Sequence, residues 1–301
     1  MTDAPPAASL KTGPQPPPDL VDPAWLDARL GTRGLRVLDC TTWMTPQPVG
    51  PSRIDSGRLG WERAHIPGAL HVDMVEDLSD PHGRFPYTLP AASRIAALLS
   101  RLGIGDDDHV VLYGASHPMV VTRAWWVLRT LGHERVSILD GGLEAWRREG
   151  CPLSDVQPVF AAARHGARLH REWVAHADDV ARALADGSAC VVNALSPEQF
   201  RGSGGAHYGR PGRIPGSVSL PARDLIDPSS GLWHGRAVLE RRVAAAGLAS
   251  AETPVIVYCG GGIAATAVAF ALHRIGRTRV AVYDNSLLEW SADPARPMQT
   301  G

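Results

Sequence analysis

At 301 residues, with 44% hydrophobic and 20% charged positions and a formal net charge of -1, the chain has the composition of an ordinary globular protein long enough for two domains, each with its own core. The basic residues are almost all arginine, Lys11 being the only lysine; no basic run exists to neutralise phosphates, which argues against a nucleic-acid partner. No stretch approaches 18 apolar residues and no basic segment precedes an apolar one at the N-terminus, so neither membrane spanning nor secretion is expected, and the cytoplasm is the expected compartment.

Residues 1–18 are rich in Pro and Ala and read as a disordered tail. A first domain is expected over 19–151. Asp22-Pro23 opens a short helix, with Asp22 as N-cap and Pro23 at the first helical position. Leu35–Asp39 is a first strand, followed by a long loop that holds Trp43, Asp55 and Trp61 and ends in the turn His65-Ile-Pro-Gly-Ala69. Helical spacing over Ser93–Leu102, a strand at His109–Tyr113, a helix at Thr122–Leu131, a strand at Arg135–Leu139 and a helix ending near Gly150 follow in turn. Strands alternating with helices imply parallel pairing in an α/β layer structure.

Residues 152–167, with Pro152 and Pro158, lack periodicity and read as an interdomain linker. The pattern then recurs over 168–301: a helix at Arg171–Ala185, a strand at Ala189–Asn193, the turn Arg213-Ile-Pro-Gly, a strand Val255–Cys259 and a strand Val280–Asp284 with Trp290 behind it. The pairs His65/Arg213, Gly114/Cys259 and Trp146/Trp290 stand 148, 145 and 144 residues apart. Anchors at a near-constant offset mean a tandem duplication, here of a whole domain.

The copies differ where chemistry is expected. In the second, an apolar strand ends at Cys259, Gly260, Gly261 and Gly262 follow, and a helix begins at about Ile263. That order puts one thiol at a strand-to-helix turn, under bare backbone N–H groups and the positive end of a helix, a setting that favours a nucleophilic thiolate over a merely buried cysteine. The first copy has Gly114 there, and its loop, Ala115-Ser-His-Pro118, offers no nucleophile; His117 reads as a plain loop residue. The cysteines Cys40, Cys151, Cys190 and Cys259 form no Cys-x-x-Cys pair, so a zinc ribbon or a thioredoxin-type dithiol is disfavoured.

With these residues in register, the chain resembles the tandem-domain rhodanese-like sulfurtransferases, the group of thiosulfate and 3-mercaptopyruvate sulfurtransferases. The motifs are Glu62-Arg-Ala-His-Ile-Pro-Gly-Ala69, Trp125-Trp-Val-Leu-Arg129 with Leu131-Gly-His133, Leu139-Asp-Gly-Gly142 with Trp146, Tyr258-Cys-Gly-Gly-Gly-Ile263, and Tyr283-Asp284 with Glu289-Trp290. The resemblance covers about Asp22 to Pro297 and implies two tandem parallel-sheet α/β/α domains, the first inactive. It implies a small anionic sulfur donor, a persulfide on Cys259 and a thiol or cyanide acceptor, with no metal or organic cofactor. Backbone amides of Gly260, Gly261, Gly262, Ile263 and Ala264 would cradle the sulfur.

Two departures bear on the donor. Thiosulfate-type loops carry basic residues after the cysteine, and mercaptopyruvate-type loops usually read Cys-Gly-Ser-Gly; here Gly261 stands in place of that serine, which takes part in the proposed proton relay. Gln199 precedes Phe200 where the family has a donor-binding arginine, and Arg213 replaces the histidine of His-Ile-Pro-Gly. Arg210, with Arg201 or Arg213, is the expected substitute clamp, against a reading of all three as solvated loop residues. Asp55 and His65 occupy the region of the other relay members, although His65 reads better as holding its turn. A cysteine phosphatase needs an arginine six residues after the nucleophile, where Ala265 stands, and the glycine spacing does not match a dinucleotide loop. The remaining alternative is a low-turnover sulfur carrier or regulatory binding module, which Gln199 and Gly261 favour.

Overall fold

The structure is a computed structural model that describes residues 17–301; apart from Pro17 and Pro18, the Pro/Ala-rich tail lies outside the described residues. In the first half the elements are β1 (Leu20–Val21), α1 (Pro23–Asp27), β2 (Leu35–Asp39), β3 (Thr42–Thr45), β4 (Arg53–Ser56), α2 (Arg58–Arg63), β5 (Ala69–His71), α3 (Ala92–Arg101), β6 (His109–Tyr113), α4 (Pro118–Thr130), β7 (Val136–Leu139) and α5 (Gly142–Arg148). In the second they are β8 (Val174–Ala175), α6 (Ala177–Asp186), β9 (Cys190–Asn193), α7 (Pro197–Arg201), β10 (Val218–Ser219), α8 (Arg236–Ala245), β11 (Val255–Tyr258), α9 (Ile263–Arg274), β12 (Val280–Tyr283) and α10 (Ser286–Trp290).

Each half forms a five-stranded parallel sheet, ordered β1-β7-β6-β2-β5 in the first and β8-β12-β11-β9-β10 in the second. The strands read as apolar runs because both sheet faces are covered. In β2 and β6, Val37, Val111 and Tyr113 face a core shared with Leu26, Leu143 and Trp146, while Leu38, Val110 and Leu112 face a second core with Trp125 and Leu99. The period-two alternation of a strand thus divides its side chains between two helical layers.

Duplication extends to single hydrogen bonds. Tyr113 accepts the Ile66 amide at 3.2 Å, and its counterpart Tyr258 accepts the Ile214 amide at 3.0 Å. Trp146 donates its indole N–H to the Pro152 carbonyl at 2.7 Å, and Trp290 to that of Pro297 at 2.8 Å. The two copies meet through α4 and α9: Thr122 and Thr266, themselves equivalent, share a hydroxyl bond of 3.1 Å, and Trp125 packs edge-on against Phe270 at 5.0 Å.

The helix expected over Arg171–Ala185 is divided. A 3-10 turn at Arg171–Trp173 leads into β8, and α6 begins at Ala177 under a His176/Asp179 capping box. Pairing of Val174 and Ala175 with Val282 and Tyr283 of β12 overrides the helical spacing there. The long loop after β2 contains the antiparallel hairpin β3–β4, and α4 starts four residues before the expected Thr122, with Pro118 at its first position.

Candidate active site

Cys259 follows the last residue of β11, a strand buried along its whole length, and is itself 2% exposed. Its N–H donates to Ser286 Oγ at 3.0 Å, and its carbonyl accepts the Leu287 amide at 3.2 Å, so the start of α10 holds the cysteine backbone in place. The Gly262 N–H donates to Cys259 Sγ at 3.1 Å. Gly262 sits at φ 84° as the N-cap of α9, which leaves the first-turn amides of α9 without a side-chain cap. Two of the glycines are required sterically: a Cβ on Gly260 would fall inside the Tyr208 ring, and one on Gly262 would meet the Asp284 carbonyl in a left-handed backbone conformation.

The sulfur faces a cavity of about 630 Å³ that both domains line. Cys259, Gly261, Ile263 and Ala264 form its floor; Met44, Tyr87, His117 and Met119 come from the first domain, and Gln199, Tyr208 and Arg223 from the second. His117 N-caps α4, its Nδ1 accepting the Met119 amide at 3.3 Å, so in the neutral ring Nε2 carries the proton. Burial first, and then the charge of Arg223, lowers the pKa of His117, which keeps the ring neutral near pH 7. Burial, followed by the neighbouring Cys259, pushes the Tyr208 phenol up to about 12.

None of the three arginines expected as an anion clamp lines this cavity. Arg210 spends its guanidinium on the carbonyls of Ser291, Asp293 and Arg296 at 3.0, 2.8 and 2.8 Å, anchoring the loop after α10, and borders a separate cavity of about 360 Å³. Arg213 stacks on Phe200 at 4.5 Å and donates to the Gly301 carbonyl at 2.6 Å. Its backbone pairs with Gln299 as that of His65 pairs with Ser154, which makes the two turn residues structural equivalents. Arg201 is half exposed and pairs with Glu198 at 3.7 Å. Gln199 closes a capping box on Ser196 and donates to the Ala206 carbonyl at 2.8 Å. His65 is fully buried between the carbonyls of Trp61 and Val156, at 2.6 and 3.1 Å, and Asp55 pairs with Arg53 at 3.0 Å on the surface, so neither relay candidate reaches the cavity.

The cation that does line the cavity is Arg223, in the 3-10 turn Ala222–Leu225 after β10; nothing in its local sequence marks it out. Among the described residues no group of three or more His, Cys, Asp or Glu side chains is arranged to hold a metal ion, and no helix is long and apolar enough to cross a membrane. All four cysteines are unpaired thiols.

Fold and site together define a duplicated α/β protein with a single thiol under a helix N-terminus in an interdomain cavity. The family model described as a rhodanese-like domain matches residues 22–149 and again 176–293. Human 3-mercaptopyruvate sulfurtransferase is 32% identical over 260 residues, covering 85% of this chain and 84% of the relative. The 3-mercaptopyruvate sulfurtransferase of Escherichia coli K12 is 31% identical over 247 residues, 78% and 83% of the two chains. The crystal structure of SseA from Escherichia coli, a 3-mercaptopyruvate sulfotransferase, superposes with a TM-score of 0.78 at 28% identity, over 90% of this chain and 99% of that one. The chain belongs to the family of tandem-domain rhodanese-like sulfurtransferases.

Proposed function

We propose that the protein transfers sulfur from 3-mercaptopyruvate, or a closely related thiol-bearing keto acid, through a persulfide on Cys259. The observation that carries this reading is the 3.1 Å contact of the Gly262 N–H with Cys259 Sγ on the floor of a cavity large enough for a small acid. The Cys259 thiolate attacks the donor's sulfur; the S–S bond forms as the donor's C–S bond breaks, and the carbon leaves as the enolate of pyruvate. The donor's own thiol proton ends on that carbon, so no oxidant or reductant is needed. An acceptor thiolate or cyanide then takes the outer sulfur, and Cys259 returns to a thiolate.

Charge supports a monoanionic donor. Cys259 lies at the N-terminus of α9 and His117 at that of α4, so two helix N-termini border one cavity, and the charge of Arg223 stands beside them. The donor's carboxylate is assigned to Arg223 and His117 Nε2–H, and its sulfur to the amides at the head of α9. Residues 260–264 bring no side-chain charge to hold a second anionic group such as the dianion of thiosulfate requires. Four unpaired cysteines fit a reducing compartment, and we place the protein in the cytoplasm.

The test is turnover of 3-mercaptopyruvate and of thiosulfate by the full chain, with thiocyanate or sulfide release and the intact mass of the protein as readouts, repeated with Cys259→Ser and Arg223→Met. The expected result is turnover of 3-mercaptopyruvate, a one-sulfur mass gain that Cys259→Ser abolishes, and a KM for the keto acid raised on the order of tenfold in Arg223→Met, as for loss of a charged hydrogen bond. A persulfide that forms without turnover would make the protein a sulfur carrier, and absence of any persulfide would overturn the assignment.

A further inference from the structure

Arg123 belongs to the domain that lacks the thiol, yet its guanidinium ends against the active-site loop of the other. The side chain is 0% exposed and extends from α4 across the domain boundary. Nη1 donates to Asp284 Oδ1 at 2.6 Å and to the Gly262 carbonyl at 3.3 Å, Nη2 donates to the Tyr87 carbonyl, and the group lies 4.7 Å above the Trp126 ring. Asp284 is fixed in turn, its second oxygen accepting the Leu89 amide at 2.6 Å. One buried charge therefore ties together a residue of the sulfur loop, a cavity-wall residue of the first domain and the end of β12.

The geometry points to Arg123 as a positioning residue for Cys259, through which the thiol-free domain completes the active site of its duplicate. This rests on the reading of Cys259 as the nucleophile. Gly262 occupies a left-handed conformation, and its two backbone polar groups serve opposite partners: its N–H goes to the sulfur and its carbonyl to Arg123. As a glycine it has no side chain to bias that conformation, and no side-chain cap secures the start of α9. The Arg123 contact keeps the Gly262 carbonyl on the far side of the loop, so the thiolate meets an N–H donor instead of a carbonyl dipole that would repel it. The same side chain sets the backbone of Tyr87, whose ring lines the cavity and whose hydroxyl donates to the Ser52 carbonyl at 3.0 Å. A buried arginine satisfied at three points by the other domain's loop and the cavity wall is placed to keep the amide cradle assembled between turnovers.

The experiment compares the full chain with Arg123→Met, Arg123→Lys and Asp284→Asn in three readouts: kcat and KM for 3-mercaptopyruvate, the rate of Cys259 alkylation by iodoacetamide, and the melting temperature. Arg123→Met is expected to lower kcat and the alkylation rate by on the order of tenfold or more, short of the roughly hundredfold or greater loss when an oriented donor is removed outright, with KM changed less than about twofold. Arg123→Lys is expected to recover only part of the loss, because a single ammonium cannot span all three carbonyl and carboxylate partners. Should Arg123→Met fail to fold, Asp284→Asn keeps the side-chain volume and is expected to change kcat and alkylation in the same direction. Wild-type kcat and alkylation rates in variants that differ only in melting temperature would overturn the inference and leave the pair a structural bridge. Alkylation reads the setting of Cys259 whether or not the chain turns over 3-mercaptopyruvate, so failure of the donor assignment and failure of this one are told apart.

Discussion

Gly260 has no side chain because the Tyr208 ring occupies the space above it, and the ring is there to wall the cavity over the sulfur. Gly260→Ala is therefore expected to push either the loop or the ring aside while the fold persists. A shift of about an ångström at a reacting atom costs roughly a hundredfold in kcat. Steady-state kinetics alongside far-UV circular dichroism checks this: an unchanged spectrum with near wild-type kcat would mean that the ring moves freely. The residue scale also shows where sequence reading of the site stops. Cys259 and its glycines declare themselves by order along the chain, whereas the cation beside them does not. Arg210 and Arg213 are close in sequence to the position the family uses, but their guanidinium groups are consumed by backbone carbonyls of the second domain. Arg223 reaches the cavity from the 3-10 turn after β10, whose residues Ala222, Arg223 and Asp224 all line it. His117, unremarkable in a loop, becomes an N-cap and a cavity wall once Pro118 starts α4 where it does.

Among the elements, the buried strands and the two central helices were legible because burial on both faces gives long apolar runs that few alternatives explain. Elements that pack by one edge or one residue pair were not. The hairpin β3–β4 is mostly exposed, α8 buries only Leu239 and Val243, and β8 is two residues held by its neighbour β12. The end of α4 carries a testable electrostatic consequence. His133 is fully buried just after that helix, its amide donating to the Leu128 carbonyl at 2.9 Å and its Nδ1 lying 3.0 Å from Nε2 of His165 in the segment between the domains. Burial, then the His165 ring, lowers its pKa from an ordinary 6.5 to about 4. Between those values the unfolded chain holds the proton and the folded chain does not. Stability from this site is therefore complete above about pH 6.5 and falls as the pH drops toward 4. Burial also lowers His109 to about 4, which adds loss in the same window. Urea unfolding at about pH 7.5 and about pH 5 is expected to differ, with His133 contributing on the order of 2 kcal/mol. His133→Asn is expected to flatten that dependence, and an unaltered slope would assign it elsewhere.

At the level of the whole molecule, duplication has left a pair in which one member supplies the thiol and the other supplies part of the cavity wall. One pair that meets across the boundary is made of equivalents, Thr122 with Thr266, carried by the equivalent helices α4 and α9. The buried apolar cluster runs through the boundary without a break, joining Leu38, Trp125 and Trp126 of the first domain to Val257, Val268 and Phe270 of the second. A site built across that boundary keeps its geometry only while both domains are folded and docked, and a continuous core is the means of docking them. Phe270 is the side chain to remove, since it is fully buried and packs edge-on against Trp125 at 5.0 Å and against Trp233 at 4.9 Å. Phe270→Ala is expected to cost about 3 kcal/mol or more, the usual range for an aromatic cavity in a core. Because the core is continuous, both halves should melt earlier as a single transition in differential scanning calorimetry, with loss of activity tracking it. Two separated transitions in the variant, one of them at the wild-type temperature, would show that the duplicated domains keep independent cores and that their docking adds little to either.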